Sequence, residues 1–201
     1  MTGGTGRTDA TGWTGAVLVG GASRRMGRDK ATLPIDGVPM AARVAAALTR
    51  AGATDVWCVG SGMADIDRRR RTIADDHPGQ GPLGGLLTAL RHAADDLVVV
   101  LACDLLEPSS DAIADLVAAA PGHAATVPMV DGSKQWLHAA WSRSRCIEAL
   151  TASFEQGERS VWRAAADLDV HVVEASGPGF ADADVPADLP AGTSPAAAPG
   201  S

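Results

Sequence analysis

The chain has 201 residues and a mass of 20.4 kDa, which suits one domain with short tails. Its 24 acidic and 17 basic residues give a formal net charge of −7, so general binding to a nucleic-acid backbone is not expected. Hydrophobic residues make up 46% of the chain, which is too many for a disordered protein. The longest unbroken apolar run, residues 97–103, is much shorter than the about 20 residues that a membrane-spanning helix needs. We therefore expect a globular protein with no nucleic-acid and no membrane partner.

Cysteine usage and the first residues of the chain predict a reduced, cytoplasmic protein. The three cysteines, Cys58, Cys103 and Cys146, cannot all pair with one another, and none is spaced as a CxxC metal-binding motif. Residues 1–15 are polar and rich in glycine and threonine, and they lack the hydrophobic segment of a secretory signal.

Short apolar runs alternate with segments of helical periodicity along the chain. The apolar runs predict strands at residues 16–20, 55–60, 71–74, 97–103, 123–129, 136–141 and 169–175. Apolar residues at helical spacing predict helices at residues 39–50, 82–94, 111–120, 143–152 and 161–168. This alternation indicates an α/β fold with a mostly parallel sheet and helices on both of its faces.

The two ends of the chain differ in composition from its centre. Residues 1–13 predict a flexible N-terminal arm, and residues 190–201, which are rich in proline, alanine and glycine, predict a disordered tail. No internal repeat and no linker interrupts residues 14–189, which we interpret as a single domain.

A glycine-rich, basic loop from Gly20 to Lys30 follows the first predicted strand. Its three glycines would allow backbone N–H groups to surround an anion, and its three arginines and one lysine add positive charge. Because open α/β sheets bind ligands at the carboxyl ends of their strands, this loop is a candidate cradle for a triphosphate. It matches neither a Walker A loop, since Arg28 follows Gly27, nor the GxGxxG fingerprint of dinucleotide-binding domains. On residue types alone, a surface loop with solvated charges explains it equally well.

Two further segments carry candidate ligand-binding residues at the ends of predicted elements. Residues 75–85 form a turn-rich stretch before a helix N-terminus, which attracts negative charge, although an ordinary loop is the preferred interpretation on residue types alone. Asp104 ends the most apolar predicted strand, where a carboxylate is costly without a partner. Since Mg²⁺ prefers one or two carboxylates with phosphate oxygens and water, we interpret Asp104 as a candidate Mg²⁺ ligand, with a helix N-cap as the alternative.

The first loop resembles a family signature of about a dozen positions. The pattern Leu18-Val19-Gly20-Gly21-x-Ser23-x-Arg25-Met26-Gly27-x-Asp29-Lys30, followed by Gly37-x-Pro39-Met40, is similar to that of the nucleotidyltransferases, most closely the molybdenum cofactor guanylyltransferases. The resemblance implies a three-layer, Rossmann-like nucleotidyltransferase fold. It also implies that Arg25 and Lys30 neutralise the phosphates of a nucleotide. The nucleotide-binding residues that it implies in this loop are Leu18, Gly20, Gly21, Ser23, Gly27 and Lys30.

The same resemblance extends to the two other segments. The family segment that lies against the guanine base matches three residues here, Gly81, Pro82 and Leu83. The resemblance also implies an upstream aspartate that accepts hydrogen bonds from guanine, which is Asp75 or, one residue later, Asp76. The segment Ala-Cys-Asp-Leu matches the family's Mg²⁺-binding segment and implies Asp104 as a catalytic metal ligand.

Segments in the second half of the chain resemble those that border the acceptor pocket of the family. The resemblance implies acceptor contacts at Gln135, His138, Arg159, Asp182 and Asp184. For His138, a role as a core histidine is an equally good interpretation. The family has asparagine at the last two positions, and related enzymes with aspartate there direct it toward a metal. Asp182, with Asp184 as the alternative, is therefore implied as a second Mg²⁺ ligand beside Asp104.

The resemblance as a whole implies an enzyme that transfers GMP from GTP to molybdopterin or the molybdenum cofactor. The transfer would depend on Mg²⁺ and would release pyrophosphate. The resemblance also implies transient contacts with the enzymes that receive the cofactor. One alternative is a related nucleotidyltransferase that uses CTP or a sugar-phosphate acceptor. Another is a non-catalytic nucleotide-binding protein of the same fold, which would be expected to lack Lys30 or Asp104, although both are present.

Overall fold

The longer strands of this α/β protein form where the sequence has short apolar runs. The computed structural model describes residues 12–20, 30–60, 71–175 and 178–180. The strands in these ranges are β1 (Trp13–Leu18), β2 (Pro34–Ile35), β3 (Val38–Pro39), β4 (Asp55–Val59), β5 (Arg71–Ile73), β6 (Leu97–Ala102), β7 (Ala125–Val130), β8 (Ser133–Lys134), β9 (His138–Ser142) and β10 (Val170–Glu174). The helices are α1 (Met40–Arg50), α2 (Pro82–His92), α3 (Ser110–Ala119), α4 (Arg143–Glu155) and α5 (Val161–Ala164), with 3₁₀ turns at Lys30–Thr32 and Pro178–Phe180.

Eight of the described strands form one sheet, in the order β10-β7-β9-β6-β1-β4-β5, with β8 paired to β7. β9 runs antiparallel to β6 and β7, and β8 runs antiparallel to β7, whereas the other pairs are parallel. Leu18 pairs with Val59 on one side and with Ala102 on the other, so β1, β4 and β6 end level with one another. We call this side of the sheet, marked by Leu18, Val59 and Ala102, the carboxyl edge.

Helices cover both faces of the sheet and give the molecule three layers. One face packs against α2, α4 and α5, and the other packs against α1 and α3. In β6, Val98 and Val100 belong to the first core, whereas Val99 and Leu101 belong to the second, which explains why this strand is apolar throughout. None of the described helices is long and apolar enough to cross a bilayer. The three-layer α/β fold with a mostly parallel sheet is confirmed.

Most elements lie within a few residues of the predicted bounds, and the structure explains the differences at β1 and α5. β1 begins at Trp13, inside the predicted N-terminal arm, because Trp13 is buried and its carbonyl accepts a hydrogen bond from Thr54 N–H at 2.9 Å. α5 ends earlier than predicted, at Ala164, since the N–H groups of Ala166 and Leu168 bond to carbonyls three residues back. The chain therefore turns there toward β10.

All three cysteines lie in the described part of the chain, where each is buried and none forms a disulfide bond. Burial raises the pKa of the Cys146 thiol to about 12, and the nearby Asp96 carboxylate acts in the same direction. Cys146 is therefore a packing residue in the core on the α4 side of the sheet.

Candidate functional site

The ends of β1, β4 and β6 are joined by backbone hydrogen bonds just beyond the strands. Val19 N–H donates to the Val59 carbonyl at 2.8 Å, and Cys103 N–H donates to the Leu18 carbonyl at 3.2 Å. The chain that leaves β1 toward the first loop therefore passes between the ends of two neighbouring strands. This is the side of a parallel sheet on which α/β proteins bind their ligands.

Gly60 makes the close approach of β1 and β4 possible, and sequence reasoning did not single it out. Its φ angle is +130°, and a Cβ atom at this position would lie 1.6 Å from the Val19 carbonyl oxygen. Its N–H donates to the Ile73 carbonyl at 2.9 Å, which continues the link to β5. A glycine directly after a buried strand was the available signal, because such a glycine often marks close backbone approach.

Much of the predicted phosphate loop falls outside the described residues. Four of its predicted ligand-binding residues lie there, namely Gly21, Ser23, Arg25 and Gly27. Leu18 is buried in the core that it shares with α2, and Gly20 is exposed with a φ of +120°. Lys30 begins the 3₁₀ turn that leads toward α1. The described residues thus place both ends of the loop, one of them at the carboxyl edge.

Asp104 lies half-buried in the turn that follows β6 at the carboxyl edge. It is not a helix N-cap, since that role in α3 belongs to Ser109, whose hydroxyl accepts a hydrogen bond from Ala112 N–H at 3.3 Å. Within the described residues, no group of three or more His, Cys, Asp or Glu side chains could hold a metal ion. A single carboxylate beside the start of the phosphate loop fits an ion that takes its remaining ligands from phosphate and water, as Mg²⁺ does.

Asp75 is oriented by two hydrogen bonds to one of its carboxylate oxygens. Oδ1 accepts from His77 N–H at 2.9 Å and from the Thr88 hydroxyl at 3.0 Å. No described residue donates to Oδ2, so this oxygen keeps its acceptor sites for a ligand. Asp76 is exposed, and its Oδ1 lies 3.2 Å from His92 Nε2. Of the two candidate aspartates, Asp75 is the half-buried and oriented one.

Thr88 in α2 holds this pair of aspartates, and sequence reasoning missed it. Its fully buried hydroxyl accepts from Asp76 N–H at 3.1 Å and lies 3.0 Å from both Asp75 Oδ1 and the Gly84 carbonyl. A threonine inside a helix is a weak signal, because its hydroxyl commonly bonds to the carbonyl four residues back. Only the fold brings residues 75 and 76 beside it.

The N-terminus of α2 carries the three residues predicted to lie against a base. Gly81 is the N-cap, with a φ of +87°, and Pro82 occupies the first helical position, where a missing N–H costs nothing. Gly81 and Pro82 are exposed, whereas Leu83 is fully buried. A ligand at this helix end therefore meets the backbone of Gly81 and Pro82 and the positive end of the helix dipole.

Two residues predicted to contact an acceptor lie together at the start of β9. His138 pairs with Leu101 near the end of β6, and its N–H donates to the Gln135 carbonyl at 3.0 Å. His138 is buried, which fits the interpretation as a core histidine, and Gln135 is half-buried. Two more of the five predicted acceptor contacts, Asp182 and Asp184, lie outside the described residues.

Arg159, also predicted as an acceptor contact, lies against the N-terminus of α2. Its carbonyl accepts from Leu83 N–H at 3.2 Å, and its Nη2 donates to Gln80 Oε1 at 3.0 Å. A Cβ atom at Gly81 would lie 3.1 Å from Arg159 Cβ. The structure thus brings Arg159 to the segment that was predicted to bind a base.

Glu158 fixes the backbone around Arg159. Its Oε1 accepts from the N–H groups of Ser160 and Arg159, both at 2.7 Å. These two hydrogen bonds hold the pKa of the Glu158 carboxyl below its usual value, and the Arg163 guanidinium, 3.9 Å from Oε2, adds to the effect. The turn between α4 and α5 is therefore ordered by a charged side chain.

Comparison with known proteins assigns the chain to a family. Residues 15–171 match the family model described as a MobA-like NTP transferase domain. The chain is 31% identical to a molybdenum cofactor guanylyltransferase of Rhodobacter capsulatus over 182 residues, which cover 87% of this chain and 92% of that protein. A protein of the same name from Xanthomonas euvesicatoria is 45% identical over 89 residues, and this match spans 44% of each protein.

A solved structure supports the same grouping at the level of the fold. The structure of molybdopterin-guanine dinucleotide biosynthesis protein A from Archaeoglobus fulgidus superposes with a TM-score of 0.72 at 24% identity, over 88% of this chain and 94% of that one. This chain belongs to the family of MobA-like NTP transferases.

Proposed function

We propose that this protein transfers GMP from GTP to molybdopterin or the molybdenum cofactor and releases pyrophosphate. Family membership supports nucleotidyl transfer, and the names of the relatives support guanylyl transfer. The observation that carries the choice of base is the orientation of Asp75. Its Oδ1 is occupied by His77 N–H and the Thr88 hydroxyl, which leaves Oδ2 for a ligand.

The proposed base contact follows from the chemistry of guanine. A carboxylate can accept hydrogen bonds from the N1–H and the exocyclic amine of guanine, and Asp75 Oδ2 has two acceptor sites for them. Adenine has a lone pair at N1, which would face the carboxylate without a proton between them. We expect cytosine to be too small to reach from the phosphate loop to residues 81–85. Buried polar groups that are left unpaired produce strong discrimination between ligands.

The proposed transfer depends on charge neutralisation and positioning. The attacking group is the terminal phosphate of the acceptor, which is already anionic, so no strong general base is needed when it attacks the α-phosphorus in line. The main barrier is the approach of two anions, which we propose Arg25 and Lys30 lower. Asp104 would hold Mg²⁺, which, when bound, neutralises charge on the triphosphate. We keep Gln135, His138, Asp182 and Asp184 as proposed acceptor contacts and Asp182 as a proposed second metal ligand.

A nucleotide-binding panel tests the proposed base preference. We expect GTP to bind at least about tenfold more tightly than CTP or ATP in the presence of Mg²⁺, a difference of about 1.4 kcal/mol. Asp75→Ala should reduce this preference because it removes the acceptor for N1–H, whereas Asp76→Ala, the matched control, should leave it unchanged. Isothermal titration of each nucleotide measures both effects. Equal binding of CTP and GTP by the wild type would contradict the guanylyl assignment and favour a cytidylyltransferase.

Formation of the product tests the reaction itself. With molybdopterin as acceptor, the wild type should release pyrophosphate from GTP, and the product should have the mass of the guanine dinucleotide. GTP binding without pyrophosphate release would favour a non-catalytic nucleotide-binding protein.

A further inference from the structure

The Arg159 guanidinium is already engaged by groups of this chain. Nη1 donates to the carbonyl oxygens of Phe154 at 2.8 Å and of Glu158 at 2.7 Å, which uses both of its protons. Nη2 uses one proton on Gln80 Oε1 at 3.0 Å. Three of the five guanidinium protons thus link the end of α4 to residue 80, just before α2.

Phe154 connects Arg159 to the segment around Asp75. The guanidinium carbon of Arg159 lies 4.1 Å from the centroid of the Phe154 ring, a cation–π distance. The His77 ring lies 4.5 Å from the same centroid. His77 Nε2 in turn lies 2.8 Å from Arg91 Nη1, and because arginine only donates, Nε2 accepts. Phe154 is buried, so these contacts rest on the core.

Arg159 and His77 also lie close to two glycines at the N-terminus of α2, Gly81 and Gly84. A Cβ atom at Gly81 would lie 3.1 Å from Arg159 Cβ and 3.3 Å from its carbonyl oxygen. A Cβ atom at Gly84 would lie 2.9 Å from His77 Cβ. The segment of residues 75–83, which we call the base loop, is therefore packed near its start against α2 through His77 and near its end against Arg159.

We propose that Arg159 is a positioning residue for recognition of the nucleotide base. It acts through Gln80 and the Gly81 backbone, which it holds at the N-terminus of α2, and so keeps the base loop in the conformation that presents Asp75. This inference rests on the proposed function for the site of base binding. It differs from the acceptor contact that the family resemblance implies, because it predicts an effect on nucleotide binding when no acceptor is present.

Binding to the free protein distinguishes the two roles. Arg159→Ala should weaken GTP binding about tenfold without acceptor, the scale expected for loss of one charge-assisted hydrogen bond and its ring contact. In turnover, KM for GTP should rise while kcat and KM for the acceptor change less than twofold. Arg145→Ala is the matched control, since Arg145 is exposed on α4, and its GTP affinity should stay within twofold of the wild type.

Further variants and hydrogen exchange test the proposed positioning role if Arg159→Ala is unstable. Arg159→Lys retains the charge but loses the planar fork, and it should weaken GTP binding by nearly as much as Arg159→Ala. Gln80→Ala should weaken it less, and the double variant should bind no more weakly than Arg159→Ala alone, because both changes remove the same contact. Hydrogen exchange at the amides of Gln80 and Leu83 should be faster in both Arg159 variants without any ligand.

Unchanged GTP affinity in the Arg159 variants, together with a raised KM for the acceptor, would overturn the proposal and support a direct acceptor contact.

The titrations are run with whichever nucleotide the wild type binds most tightly. If that nucleotide is CTP, the guanylyl function fails, yet weaker CTP binding by the Arg159 variants would still support positioning. If CTP affinity is also unchanged, the positioning role fails as well.

Discussion

At the scale of single residues, the two carboxylates of the candidate site lie in different surroundings. Asp75 is oriented by the donors His77 N–H and Thr88 hydroxyl, which suits a hydrogen-bond acceptor for a base. Asp104 follows the most apolar strand and lies beside the start of the phosphate loop, which suits an ion shared with phosphate. The same residue type is thus expected to have two roles, decided by its neighbours.

Replacement of Asp104 tests its role toward Mg²⁺. Asp104→Asn should lower turnover by about 10²–10³-fold, the scale for loss of one electrostatic stabiliser, while the melting temperature stays close to that of the wild type. Steady-state kinetics over a range of Mg²⁺ concentrations measures the change. Asp115→Asn, an exposed carboxylate in α3, is the matched control. Near-normal turnover of Asp104→Asn at saturating Mg²⁺ would remove this residue from the metal site.

Replacement of Thr88 tests whether Asp75 depends on its neighbour. Thr88→Val removes the hydroxyl but keeps the shape, which leaves Asp76 N–H without its acceptor and removes one of the two donors to Asp75 Oδ1, so that only His77 N–H remains. We expect a loss of about 1–3 kcal/mol in the free energy of unfolding and a severalfold weaker binding of GTP. Thr88→Ser retains the hydroxyl and should bind GTP like the wild type. Urea denaturation and titration measure the two effects, and equal GTP binding by both variants would contradict this arrangement.

At the scale of elements, the candidate site depends on how closely neighbouring strand ends approach. The ends of β1 and β4 are joined by the hydrogen bond from Val19 N–H to the Val59 carbonyl. Gly60, the residue after β4, has no side chain that would collide with the Val19 carbonyl. The base loop depends in a similar way on Gly81 and Gly84, which lie against Arg159 and His77. Glycines at these contacts let loops pack where a Cβ atom would collide.

Substitution of glycines with and without such contacts tests this element-level argument. Gly60→Ala should lower the free energy of unfolding by about 3 kcal/mol or more, because the methyl group meets a backbone carbonyl at 1.6 Å in a conformation that alanine disfavours. Gly52→Ala is the matched control. Its φ is +101° but nothing lies within 4 Å, so strain alone should cost about 1 kcal/mol. Chemical denaturation of both variants measures the difference, and equal losses would contradict the steric argument.

At the scale of the whole molecule, distant parts of the chain are joined at the side of the sheet opposite the candidate site. Asp96, just before β6, accepts from the Ser142 hydroxyl and the Ser144 N–H, both at 2.8 Å, and its carbonyl accepts from Arg143 N–H at 2.8 Å. Burial would raise the pKa of Asp96, but these hydrogen bonds and the Arg143 charge lower it below its usual value. Asp96 thus ties the start of β6 to the start of α4.

The lowered pKa of Asp96 predicts a dependence of global stability on pH. The folded state favours the Asp96 carboxylate more than the unfolded chain does. The stability that Asp96 contributes is therefore fully present above its pKa in the unfolded chain, about 4. It is lost as the pH falls through the lower folded pKa. Asp96→Asn should therefore cost about 1 kcal/mol of unfolding free energy at pH 7 and progressively less in acid. Urea denaturation of both proteins at several pH values measures the difference, and a constant gap down to pH ~2 would contradict it.

The fold class and the order of the candidate ligand-binding residues along the chain follow from the amino-acid sequence alone. Apolar runs such as residues 97–103 predict strands because a strand buried on both faces has no polar side to show. A charged residue at the end of such a run, like Asp104, falls at the carboxyl edge whatever the order of the strands. Proline after Gly81 predicts the start of α2 because its ring fits the first turn of a helix.

Which of these residues contact one another depends on how the elements pack. The placement of β9 between β6 and β7 brings His138 beside Leu101, and no local pattern encodes the order of strands. Thr88 meets Asp75, and Arg159 meets Gln80, across many intervening residues. The physical reason is that periodicity and turn chemistry act over a few residues, whereas these partners are chosen by packing of whole elements around a shared core.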